Sequence, residues 1–187
     1  MQAVDYVSIG RKKYILIDVE KGKQIITCAD FPMPEHFGEI SHSTACWRGY
    51  TADYYIIRNI LHGIKRQEIC FDGTERIKGI KSLRTIIPYT GSCIIAYGDA
   101  WNSDFLESFI DYDEAFELYF ENGVLREKLT LKSAIEKFKD FEKSNEYDSK
   151  MEPCERADMS EQIAWEALKY KYDKHHTYKW RKNKGNL

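Results

Sequence analysis

Hydrophobic positions in the first thirty residues fall in three short runs, YVSI, YILIDV and QIITCA, rich in β-branched and aromatic residues. The polar stretches GRKK and EKGK separate them. Such runs bounded by turn residues predict strands, here a three-stranded antiparallel meander. Pro32 and Pro34 in DFPMPEHFG oppose regular structure and predict a loop. In TADYYIIRNILHGIKRQ, Ile56, Ile57, Ile60, Leu61 and Ile64 recur at helical spacing behind Thr51, a residue suited to an N-cap. That pattern predicts a helix with Arg58, His62, Lys65 and Arg66 on its polar side, Gly63 being its weakest position.

Further along, EICF, TIIPY, SCIIAYG and FLESFIDYDE predict strands, with Gly73, Gly79 and Gly91 as punctuation. Asn122-Gly123 inside AFELYFENGVLREKL is the pattern of a type I′ hairpin. Leu131, Ala134, Ile135 and Phe138 form one face of a helix in TLKSAIEKFKDFEK. A polar connection, SNEYDSKMEPCER, leads to a last helix in DMSEQIAWEALKYKYDKHH. There Asp158 and Glu161 suit a capping box, and Trp165, Leu168 and Tyr172 an apolar stripe. The expected class is α+β: an antiparallel sheet, one or two packing helices, and a C-terminal helix ending in a basic arm. The expected division is a core domain over 1–143, a connection over 144–157 and the helix with its arm over 158–187.

Composition narrows the class. The 187 residues are 43% hydrophobic and 14% aromatic, enough for a core. MQAVDYVSIGRKKY has no long apolar stretch, so neither a secretory signal nor a membrane anchor is expected, and the cytoplasm is the expected compartment. The five cysteines form no CxxC pair and several lie in apolar runs, which predicts buried free thiols and no structural zinc. No phosphate-binding GxxxxGK[ST], no GxGxxG and no GxSxG occurs, so no cofactor is expected.

The net charge of −2 hides a segregation. Residues 1–84 carry +3, the 41 residues 85–125 carry −8 with no Lys or Arg, and 126–187 carry +3. From Lys169 onward seven basic residues face one acid, Asp173. In that stretch Lys174, Lys179, Arg181 and Lys182 could neutralise phosphates, and Trp180 could stack on unpaired bases. A helix packed on its own domain and a disordered tail are the competing readings of the same residues. Trp47-Arg48-Gly49-Tyr50 sets a planar guanidinium between two aromatics, suited to a phosphate or a carboxylate, or to a structural role in the core.

Two weaker patterns bear on catalysis. His42-Ser43-Thr44 and His175-His176-Thr177 both fit H-x-T. Paired motifs of that kind serve metal-independent phosphoesterases, one histidine as base and one as acid. Asp104, Glu107, Asp111 and Asp113 in SDFLESFIDYDE could hold Mg²⁺, Asp111 and Asp113 sharing one strand face. No lysine lies nearby, so an acidic face toward protein, with Glu114, is the expected use, and no metal site is expected.

STACWRGYTADY, followed by FDGTERIKG and TIIPYTGSCIIAYGDAWNS, resembles small uncharacterised proteins of phages and mobile elements with a W-R-G-x-Y segment. The likeness covers residues 43–103. It implies a counter-defence role of the anti-CRISPR type, inside a bacterial host, without catalytic residues to carry over. The leading expectation is therefore a non-enzymatic accessory protein that binds host RNA or DNA, or a nucleoprotein such as a CRISPR effector complex. Arg48, Arg58, Lys65, Arg66, Lys174, Lys179, Trp180, Arg181 and Lys182 are its expected nucleic-acid contacts. Asp104, Glu107, Asp111, Asp113 and Glu114 are its expected protein contacts. The alternative is a ribonuclease or cyclic-nucleotide phosphodiesterase using His42, Thr44, His175 and Thr177.

Overall fold

The computed structural model describes residues 5–20, 25, 51–66, 81–83, 86–98, 108–144 and 153–170. Its strands are β1 (Tyr6–Ile9), β2 (Lys12–Val19), β3 (Thr51–Ile57), β4 (Ile60–Arg66), β5 (Lys81–Leu83), β6 (Gly91–Tyr97), β7 (Glu114–Glu121) and β8 (Val124–Thr130). A 3₁₀ turn covers Phe109–Asp111, and two helices follow, α1 (Lys132–Lys143) and α2 (Pro153–Ala167). The class is α+β, as expected. The sheet differs from the expected one. Its hydrogen-bonded order is β3-β1-β2-β6-β7-β8-β4-β5, and β3 also pairs with β4. The additional β3–β4 pairing and the parallel β1–β3 pair depart from a simple antiparallel sheet.

The chain forms two compact units, one of Met1–Leu16, Gln24–Gly91 and Phe120–Arg126, the other of Ile17–Lys23, Ser92–Tyr119 and Glu127–Leu187. In the first, β1 and β2 form the expected hairpin, with Val7 opposite Tyr14 and both buried. The third strand expected from QIITCA lies outside the described residues, as does EICF. The second neighbour of β1 is β3, held by two acids. Asp5, 4% exposed, accepts the Ala52 backbone N–H at 2.9 Å, and Asp53 pairs with Lys13 at 3.2 Å. Lys13 also lies 3.9 Å from the centre of the Tyr6 ring.

Residues 51–66 are the main correction: the expected helix is the β3–β4 hairpin. TADYYII is dense in β-branched and aromatic residues, which suit a pleated surface. One face buries Ala52, Tyr54 and Ile56; on the other Asp53 is buried, Tyr55 half-buried and Ile57 exposed. Arg58 and Asn59, at φ 50 and 64, make the two-residue turn, with the sign pattern of type I′. Consequently Arg58, His62, Lys65 and Arg66 share no helix face. Arg58 sits in the turn, His62 opposes Tyr55, and Lys65 and Arg66 end β4. TIIPY is also not a strand over its described part. Pro88 has no N–H to give, Ile87 N–H donates to the Leu61 carbonyl, and the Tyr89 carbonyl accepts from Gly123.

In the second unit, β6 buries Ser92 through Ala96, a run apolar except for Ser92. The expected strand over FLESFIDYDE is the 3₁₀ turn over its described part. The Asp111 carboxylate accepts the Ser108 backbone N–H at 3.2 Å and so closes the turn locally. The buried carboxylate of Asp111 therefore shares no strand face with Asp113. α1 buries Ala134, Ile135 and Phe138, with Leu131 just before it, as the periodicity predicts. Each such large apolar side chain contributes roughly 1.5–3 kcal/mol by burial. α2 begins at Pro153, inside the expected connection; proline suits a first helical turn. Asp158 and Glu161 therefore lie within the helix and form no capping box, while Ile163, Ala164 and Leu168 are buried. Among the described residues no helix is long and apolar enough to cross a membrane.

The β7–β8 turn is the expected Asn122-Gly123, at φ 49 and 77. A side chain at Gly123 would collide with the Ile87 carbonyl oxygen and come within 2.6 Å of the Ile86 side chain. Gly123→Ala is expected to lower stability by about 2 kcal/mol or more in urea unfolding, from a left-handed backbone plus a main-chain clash. An unchanged midpoint would show that the turn relaxes freely.

Candidate nucleic-acid interface

The chain that leaves α2 is fastened to the sheet just where the basic stretch begins. Glu117 lies mid-way along β7, between Phe116 and Leu118, and is 1% exposed. Its two carboxylate oxygens accept backbone N–H groups from Lys169 at 2.9 Å and from Tyr170 at 2.8 Å. A buried carboxylate needs such donors, because burying an unpaired charge costs several kcal/mol. Two residues further, Tyr119 shares that face of β7. Its ring stacks on Tyr170, centroids 4.8 Å apart and planes 9° from parallel.

Glu127 on β8 completes the cluster. It accepts from Lys169 Nζ at 2.7 Å and from the Tyr170 hydroxyl at 3.3 Å. The Lys169 ammonium hydrogen-bonded to it holds the Glu127 carboxyl below the usual carboxylate range. Glu127 in turn, by the same hydrogen bond, raises Lys169 above the usual lysine range. Desolvation, followed by the Glu127 charge, raises the Tyr170 phenol. The first cation of the basic stretch is thereby spent internally. Cys93, fully buried on β6, has its thiol pushed far up by burial and next by the Glu117 charge, so it stays a thiol. It is a free cysteine, as expected.

The expected site residues fall unevenly on this framework. Arg48, Lys174, Lys179, Trp180, Arg181 and Lys182 lie outside the described residues, as do His42, Thr44, His175, Thr177, Asp104 and Glu107. Within the acidic stretch, Asp111 is 8% exposed and closes its own turn. Asp113 is exposed and lies 3.9 Å from Lys139; Glu114 is half-buried. Glu121 pairs with Arg126 at 2.9 Å. Of the described acids of that stretch, Asp111 and Glu117 are buried, Glu114 is half-buried, and Asp113 and Glu121 are exposed. Among the described residues no group of three or more His, Cys, Asp or Glu is placed to hold a metal.

Sequence reasoning passed over Glu117 and Glu127. The available signal was Glu117 itself, an acid in a strand apolar on both sides. Comparison with protein-family models, curated proteins and solved structures returned no match.

Glu117→Ala removes the acceptor of two part-buried N–H groups and is expected to cost roughly 1–3 kcal/mol, read by urea unfolding. The Lys169–Glu127 contact carries a pH signature of known sign. The depressed Glu127 contributes above the usual carboxylate range and is lost as pH falls through its folded value. The raised Lys169 contributes below the usual lysine range and is lost as pH rises through its folded value. Carboxyl NMR of Glu127 is expected to show the contact through neutral pH and its loss in acid; Glu127→Gln is expected to abolish that transition.

Proposed function

We propose that the protein is a non-enzymatic binding protein that engages a nucleic acid or nucleoprotein through the basic stretch following Tyr170. The observation that carries this reading is the fastening of Lys169 and Tyr170 to Glu117. It gives the cationic residues a fixed point of departure from a folded unit. From Lys171 to Leu187 there are six Lys or Arg against one acid, with Tyr172, Tyr178 and Trp180 interleaved. Cations at that density release counterions on binding phosphates, and the rings add sequence-tolerant stacking. The resemblance of residues 43–103 to small phage and mobile-element proteins supports a host defence nucleoprotein, such as a CRISPR effector complex, as the partner and its inhibition as the role.

Replacing Lys179, Arg181 and Lys182 by alanine is expected to weaken RNA or DNA binding. It is also expected to make the slope of log K against log salt shallower by about 2–3, since each lost phosphate contact removes about 0.7–0.9. Anisotropy titrations at several KCl concentrations measure both. Undiminished binding after deletion of residues 173–187 would remove the basic stretch from the mechanism.

A further inference from the structure

β1 and β3 run parallel, and Ile9 opposite Ile56 is their last registered pair. Two residues beyond that pair each strand has reached an arginine in a two-residue turn. Gly10–Arg11 joins β1 to β2, and Arg58–Asn59 joins β3 to β4. Parallel neighbours end at the same edge, so the two turns emerge side by side, on strands about 4.8 Å apart. Arg11 and Arg58 are exposed, and neither has an ion-pair partner among the described residues. The acids at the other end of this pair are used internally, Asp5 on the Ala52 N–H and Asp53 on Lys13.

Two further observations single out this edge. Arg58 is held at φ 50, a conformation that asparagine or glycine adopts with less strain in such a turn. The backbone gains nothing from arginine there, so its use lies in the guanidinium. Beside it Ile57 is 56% exposed, the most exposed large apolar side chain among the described residues.

We propose that the paired turns form a two-arginine fork that grips the phosphate backbone of a nucleic acid, with Ile57 against sugar or base. Planar guanidinium groups bind phosphate oxygens bidentately, which a lysine does not reproduce. Two such groups a strand-spacing apart are close enough to engage neighbouring phosphates of one chain, whose charges recur roughly every 3.4 Å of duplex axis. The fork shares its partner class with the function proposed above but uses no residue beyond 58, so the two are separable by experiment.

The test uses the full chain, labelled RNA and DNA oligonucleotides, and anisotropy over a series of KCl concentrations. R11S/R58N is expected to bind about tenfold more weakly at low salt, with a slope shallower by about 1.4–1.8. R11K/R58K is expected to keep the slope and lose part of the affinity. Asparagine suits the turn at position 58, so R58N alone is expected to melt no lower than the parent, which separates lost contact from lost fold. Unchanged affinity and slope in R11S/R58N, with K179A/R181A/K182A still weakened, overturns the fork and leaves the basic stretch standing. A parent protein that binds neither oligonucleotide overturns both. Tighter binding to polyglutamate than to RNA, lost in R11S/R58N, also overturns the fork by making its partner a protein carboxylate.

Discussion

A charge taken out of water, the Glu117 carboxylate, is the constraint around which the second unit is arranged. A strand position as dry as this one ordinarily takes an aliphatic side chain. The carboxylate is tolerable because both oxygens meet main-chain donors, and those donors exist only if the chain after α2 turns back over β7. The stacking of Tyr119 on Tyr170 and the Glu127–Lys169 pair then settle around a geometry that Glu117 already dictates. The outer contacts are solvent-exposed and screened by salt. The inner one is not, so the orientation of this segment is set from inside.

The first unit solves a similar problem with different groups. Asp5 and Asp53 are both buried, yet Asp5, just before β1, reaches a main-chain N–H and Asp53, within β3, reaches a lysine. Acids here join strands distant in sequence, and their charge is unavailable for partners. That pattern leaves exposed cations, Arg11 and Arg58, as the polar feature of one sheet edge. The sequence-wide balance near zero therefore misdescribes individual surfaces, because acids and bases are buried to different extents.

Local signals in the sequence were legible where one period dominated. The Asn122-Gly123 turn, the first hairpin, β6 and the buried face of α1 could all be read directly. Residues 51–66 could not, because isoleucine or leucine at 56, 57, 60, 61 and 64 fits a 3.6-residue repeat better than strict alternation. The deciding facts were tertiary: a parallel neighbour from residues 6–9, and an Arg-Asn turn that carries a weaker signature than Asn-Gly. Likewise the strand read into FLESFIDYDE failed because Asp111 bonds its own backbone three residues back. The basic stretch was visible as composition. Its fastening was not, because the donors to Glu117 are main-chain groups 52 and 53 positions away, which leave no trace in residue type.

The same separation bears on how the protein matures. The β7–β8 hairpin is a local contact, of a kind that closes on the order of microseconds. Its central glutamate has its two main-chain donors only once residues 169 and 170 lie against it. Loop closures of that span slow folding. Until this one forms, β7 presents a charged, wetted face, which discourages premature pairing with other nascent chains. A charge that the finished unit satisfies internally is thus also one that keeps β7 hydrated while the unit is open.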